Sequence, residues 1–267
     1  MRPTFGREYI ENEFQRIGDG LSEPLTVYLI GGGAMSLRDL KGATKDIDLV
    51  VPDGDAYAQL WAVLMDLGYT EVQSLDPDYR ALGATSCVEN DDGCRLDIFN
   101  QQVANKLVLT DGMQERSEPF LDTDRLTVWL VSNEDIFLFK AIAGRDDDIE
   151  DMNMLVQAGL DYDVVRAELE AQIERLGDDQ FATFANEALV ELEERYGVTT
   201  PIEARVQELT NRYYRGLEVL QALDEPMTVD ELAAELELDT DEVHGRIAYL
   251  STFDRVRRDG DTVRPVE

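Results

Sequence analysis

Three aspartates and a run of glycines are the residues through which this chain can do chemistry. Asp46 and Asp48 are separated by Ile47, and Asp97 lies in Arg95-Leu96-Asp97-Ile98-Phe99, a charge between apolar neighbours. In an extended segment residues i and i+2 share a face, so Asp46 and Asp48 point one way while Ile47 and Leu49 turn to the core. Carboxylates held side by side repel one another and favour a cation between them. Oxygen-only ligands suit Mg²⁺ (or Mn²⁺), which also takes waters and phosphate oxygens. A strand laid beside that of Asp46 brings Asp97 to the pair, and three carboxylates can hold two such ions. One ion would activate an incoming hydroxyl. The other would bind a triphosphate and stabilise the leaving pyrophosphate, with no histidine required.

Ahead of the pair, an apolar run ends in Gly31-Gly32-Gly33 and opens a short helix. Glycine lets the backbone approach a phosphate closely, and a helix start adds amide donors and the positive end of a dipole. Each feature also has a bland counterpart. The glycines alone make a tight turn, Asp46 and Asp48 are two of 57 acids, and Asp97 can form an ion pair with Arg95. Their joint order favours the chemical reading.

These residues need a scaffold, and the hydrophobic pattern supplies one. Strands are expected at 25–30, 46–51 (ended by Pro52), 84–89, 95–99 and 127–131, with the turn Asn90-Asp91-Asp92-Gly93 closing a hairpin. Helices are expected at 7–17, 34–40 and 56–67, with Gly68 as a C-cap. From Asn133, read as a cap, the period turns helical: 133–144, 145–158, 162–176, 178–196 and, after a break at 197–201, 202–223. Thr228 with Glu231 forms a capping box for a helix at 229–236. A second helix at 240–250 follows, then strands at 254–258 and 262–266 around Asp259-Gly260-Asp261. Helix, helix and hairpin describe a winged helix-turn-helix.

Composition bounds the rest. With 267 residues, 43% of them hydrophobic, the chain can build one large or two smaller cores. No apolar run approaches the ~20 residues of a membrane span. The first twenty residues lack a signal-peptide core, so a cytoplasmic protein is expected. The net charge is −33, and only four of the 24 basic residues are lysines, at 41, 45, 106 and 140. An acidic, lysine-poor surface predicts adaptation to molar salt, where a Debye length of ~3 Å screens self-repulsion; an acidic protein from ordinary surroundings is the other reading. Cys87 and Cys94 lack a nearby histidine and make a poor zinc site. A single histidine, His244, removes most triad and histidine–metal chemistries.

Leu29-Ile30-Gly31-Gly32-Gly33-Ala34, followed by Thr44-Lys45-Asp46-Ile47-Asp48-Leu49-Val50, resembles the signature of the DNA polymerase β-like nucleotidyltransferase superfamily. It is closest to the minimal nucleotidyltransferases that include toxins of abortive-infection systems. The likeness covers about the first half of the chain. It departs from the many members with serine in the glycine turn. The resemblance implies a small mixed sheet flanked by helices, metal-binding Asp46, Asp48 and Asp97, and phosphate-binding Gly31, Gly32 and Gly33. Phe139-Lys140-Ala141-Ile142-Ala143-Gly144-Arg145, with Asp148 and Asp151 beyond, is similar to a helical motif of these families in which Lys140 and Arg145 would face the triphosphate. Ion pairs within the helix are the competing role for both. Lys41 and Lys45 read as surface residues.

The fold class expected is therefore α/β (α+β): a mixed-sheet catalytic core over 1–132, a helical segment over 133–200 that completes the site, and a long helix with a winged helix over 201–267. The expected partners are a nucleoside triphosphate, an acceptor hydroxyl on an RNA end or a protein, and DNA, RNA or a partner protein at the winged helix. There Arg246, Arg255, Arg257 and Arg258 are the candidate nucleic-acid contacts. A toxin–antitoxin role follows from the resemblance. A DNA-binding regulator or antitoxin, using a catalytically silent fold as a scaffold, is the rival class.

Overall fold

The computed structural model describes residues 3–73, 83–103, 106–177 and 179–266. Its centre is a seven-stranded mixed sheet built from β1 (Leu25–Ile30), β2 (Asp46–Val51), β3 (Thr70–Glu71), β4 (Ser86–Glu89), β5 (Arg95–Asn100), β8 (Glu118–Asp122) and β9 (Leu126–Leu130). The strand order is β3-β4-β5-β2-β1-β9-β8. β1 and β5, almost wholly buried, hold the middle with β2, which buries its last three residues. β2 runs antiparallel to β1 and parallel to β5, with Ile30 opposite Asp48 and Asp48 opposite Asp97.

Helices α1 (Arg7–Gly20) and α3 (Gly54–Asp66) bury one apolar stripe each; in α1 it includes Ile10, Phe14 and Ile17, as the spacing predicts. Asp53 caps α3 through the amide of Ala56. Between them, α2 (Gly31–Leu37) starts on the glycine run itself. The glycines are thus its first turn, whereas the sequence predicts a turn ahead of a helix at 34–40.

The region 101–125 carries no expected element, yet it holds the two-stranded pair β6 (Gln102–Val103) and β7 (Leu107–Val108), helix α4 (Asp111–Arg116) and the edge strand β8. These pieces are short, and β8 is irregular between Pro119 and Leu121, so neither a period of two nor one of 3.6 develops.

α5 (Asn133–Ala143) is buried on nearly every side from Asp135 to Ile142. Its cap is Ser132, which accepts from the Asp135 amide, rather than Asn133. It ends at Gly144, φ 59°. Around it lie α6 (Asp146–Ala158), α7 (Tyr162–Leu176) and α8 (Gln180–Tyr196). Residue 178, expected to open α8, lies outside the described residues. One continuous apolar core runs from Phe5 through the sheet and these helices to Leu209.

α9 (Glu203–Ala222) leaves that core and enters a second one. Val219 and Leu223 pack there with Val229, Leu232, Val243, Ile247, Leu250, Val256 and Val263. These residues belong to α10 (Val229–Glu235), α11 (Thr240–Thr252) and the three-stranded sheet β10-β12-β11 of Met227–Thr228, Thr262–Pro265 and Val256–Asp259. The Thr228–Glu231 capping box is present. Among the described residues no helix is long and apolar enough to cross a membrane. Cys87 and Cys94 are buried free thiols.

Candidate active site

The parallel register of β2 and β5 sets the geometry. Asp46 lies opposite Arg95 and Asp48 opposite Asp97. All four side chains therefore share the sheet face that alternation assigned to the acids. Asp97 is 1% exposed. Arg95 donates to both its oxygens, from Nε to Oδ1 at 2.6 Å and from Nη2 to Oδ2 at 2.7 Å. The ion pair anticipated as the bland role of Asp97 is thus formed. Among the described residues no group of three or more His, Cys, Asp and Glu side chains is gathered so as to hold a metal ion. Asp97 occupies the expected strand position with its oxygens engaged by Arg95.

The repulsion among these acids falls on Asp48. Burial, and then the facing carboxylates of Asp97 and Asp46, push the Asp48 carboxyl up to about 7; Lys140 and Arg145 offset only part of this. Burial also raises Asp97 above the ordinary carboxylate value, against the opposing pull of Arg95. Cys87, opposite Asp97 on β4, is pushed up to about 12 by burial and by that carboxylate, which leaves it an inert thiol. The oxygen donors of Asp46 and Asp48 suit one divalent cation, whose charge would relieve this repulsion.

Gly31 adjoins the pair for two reasons. Its φ is 62°, in the left-handed region, and a Cβ there would collide with Oδ2 of Asp48. A Cβ on Gly32 would sit 3.3 Å from Oγ1 of Thr44 and 4.0 Å from Nζ of Lys41. Thr44 Oγ1 in turn donates to the carbonyl of Asp46 at 2.7 Å. Gly33 faces inward, its Cβ position 3.4 Å from Leu29, so its role is close packing on β1.

Lys140, expected to face a triphosphate, is buried between two acids. Its Nζ lies 2.7 Å from Asp148 Oδ1 and 2.7 Å from Asp151 Oδ2. Arg145 donates from Nε to Asp148 at 2.6 Å and Lys41 donates to Asp151 Oδ1 at 2.6 Å. Of the two roles weighed for Lys140 and Arg145, the ion pair is formed by each, with acids of α6. Arg145 keeps 30% of its side chain exposed and Lys140 only 8%. Sequence reasoning missed Lys41 as a partner in this network, for which the scarcity of lysine was the available signal; the pairing of Arg95 with Asp97 was weighed from their i, i+2 spacing.

In the C-terminal region Arg246 is held by Glu218 at 2.5 Å and Glu242 at 2.8 Å, with its side chain 11% exposed. It ties α11 to α9 and, of the four candidate nucleic-acid contacts, is held between two acids. Arg257 and Arg258 are exposed on the hairpin, and Arg255 is half-buried. Arg257 stands opposite Arg264 across the strands.

A mixed sheet with an Asp-x-Asp pair on an inner strand, entered beside a helix opened by glycine, is the architecture of a nucleotidyltransferase. The chain belongs to the family described as a nucleotidyltransferase of unknown function (DUF6036), whose model matches residues 10–196. That span includes the glycines, the three aspartates, Lys140 and Arg145, and ends before the C-terminal region. No curated protein matches the chain.

Proposed function

We propose that this protein is a divalent-metal-dependent nucleotidyltransferase that moves a nucleoside monophosphate from a nucleoside triphosphate to a hydroxyl on an RNA end or a protein, releasing pyrophosphate. The observation that carries this reading is the placement of Asp48: it faces Asp97 across the strands, adjoins Asp46 and touches the space that Gly31 leaves open. Asp46 and Asp48 would hold Mg²⁺ (or Mn²⁺), which supplies charge neutralisation at the phosphates. Asp97 would join through the lone pairs that Arg95 leaves on its oxygens. Gly31 makes room for the Asp48 carboxylate; the backbone of Gly31, Gly32 and Gly33 would cradle the phosphates, and Arg145 would neutralise them from the rim. Lys140 keeps its expected phosphate-binding role in an indirect form, by holding the two acids that orient its neighbours.

We read the C-terminal helices and hairpin as a winged helix that docks RNA, DNA or a partner protein through Arg257, Arg258 and the half-buried Arg255. A toxin–antitoxin setting, a cytoplasmic location and life in molar salt are consistent with the resemblance, the sequence pattern and the acidic surface respectively. One observation favours the rival reading, a regulator or antitoxin on a silent scaffold: Asp97 is bound on both oxygens by Arg95. Radiolabelled triphosphates with Mg²⁺ in high-salt buffer separate the two. Transfer of label by wild type and not by Asp48→Ala supports the enzyme. Specific nucleic-acid binding without any transfer supports the regulator.

A further inference from the structure

Five charged side chains alternate in sign along one line: Lys41, Asp151, Lys140, Asp148 and Arg145, each in contact with the next at 2.6 or 2.7 Å. The two acids are 1% and 0% exposed and the central lysine 8%. Only the two ends reach solvent, Lys41 with 32% of its side chain exposed and Arg145 with 30%. Three cations stand on two carboxylates, and Lys140 and Arg145 also act on the Asp48 carboxylate.

Lys140 already serves both buried acids. Lys41 is therefore not needed to neutralise Asp151, yet it comes from a different part of the chain, the loop between α2 and β2. That loop is pinned independently: Thr44 exchanges two backbone hydrogen bonds with Phe5, at 2.7 and 3.1 Å, and its hydroxyl holds the carbonyl of Asp46. The result places the Lys41 ammonium 4.0 Å from the point where a side chain on Gly32 would begin. A partly exposed ammonium, fixed by a buried acid beside the backbone of Gly32, is a preorganised point charge. It has spare hydrogen-bond donors, since an ammonium has three.

We propose that Lys41, rather than the buried Lys140, is the lysine that contacts the phosphate groups of the substrate, and that Asp151 positions it over Gly32. This rests on the nucleotidyltransferase reading above. It moves a residue that reads as surface from sequence into the substrate site, and makes Lys140 the interior support of the same chain of charges.

The test is equilibrium binding by calorimetry with Mg²⁺ present, using each of the four ribonucleoside triphosphates and inorganic triphosphate as probes. Lys41→Gln leaves Asp151 paired with Lys140, so the fold is retained, which a thermal melt checks. Loss of one charge-assisted phosphate contact weakens binding of both probe types by about tenfold. Lys41→Arg restores much of it, and Asp151→Asn, which frees the Lys41 ammonium to move, weakens it again. Wild type and Lys41→Gln binding the probes equally would overturn the proposal while leaving the enzyme reading intact. Wild type binding no triphosphate at all would overturn both. An unchanged Lys41→Gln affinity for inorganic triphosphate with a changed nucleotide affinity would also defeat it, by placing Lys41 at the base or sugar.

Discussion

Arg95 grips both carboxylate oxygens of Asp97 from two residues earlier on the same strand, while Asp97 faces Asp48 across the neighbouring one. The pair answers a local need: three carboxylates share this sheet face, and one of them is 1% exposed. Arg95→Gln would leave Asp97 buried without its countercharge. The expected loss of stability is about 3–5 kcal/mol, read by urea denaturation. Added Mg²⁺ should return part of it, because a divalent ion replaces the lost charge. A destabilisation that Mg²⁺ does not touch would separate Asp97 from the metal site.

Asp48→Asn should abolish label transfer and leave the fold intact. Asparagine keeps the shape and removes the repulsion from Asp97 and Asp46, so the metal-free variant should melt at or above wild type. Mg²⁺ at 100 times its dissociation constant should stabilise wild type by about 2.7 kcal/mol, and the variant far less. Equal metal stabilisation of both proteins would place the ion elsewhere.

Two glycines should respond in opposite directions to the same substitution. Gly31→Ala meets a left-handed φ and the Asp48 carboxylate together. The backbone term alone is about 1–2 kcal/mol, and the displaced carboxylate should lower transfer as well. Gly245, inside α11 with open space where a Cβ would stand, should tolerate alanine and gain roughly 0.5–1 kcal/mol. Paired thermal melts check both signs.

Asp148 supplies a pH dependence. Burial raises its carboxyl, but Lys140 and Arg145 outweigh burial and hold it below the usual value. Its contribution is therefore fully present above the unfolded value, about 4, and is lost as pH falls through the lowered folded one. The stability difference between wild type and Asp148→Asn should be level from neutral pH down to about 4 and shrink below that. At neutral pH it should be about 3–5 kcal/mol, since the substitution strands part of a buried ionic chain. Denaturant midpoints across pH measure it.

The C-terminal hairpin and helix should separate in their roles. Arg257→Glu with Arg264→Glu reverses two exposed charges that stand opposite each other, so binding of a nucleic acid should weaken and its salt dependence flatten by about two units of slope. Arg246→Ala should leave that slope alone and loosen α11 against α9, where Glu218 holds it. Filter binding at a series of salt concentrations, with melts of each variant, reads both.

Sequence alone determined the elements that repeat a clear period and the acids that lie on one face. β1, β2, β5 and the helices from α5 to α9 were legible within a few residues because burial imposes a long, regular apolar pattern. The capping box at Thr228 was legible because its partners lie three residues apart. Asp46 and Asp48 shared a face by strand geometry before any neighbour was known. Only the tertiary structure decided what those charges meet. The register that sets Asp97 opposite Asp48, the grip of Arg95, and the burial of Lys140 between Asp148 and Asp151 with Lys41 reaching in from a distant loop all depend on strand pairing and helix packing. Side-chain alternation sets which face a residue takes; it carries no information about which countercharge a distant segment brings to that face, because that is settled by the whole core closing at once.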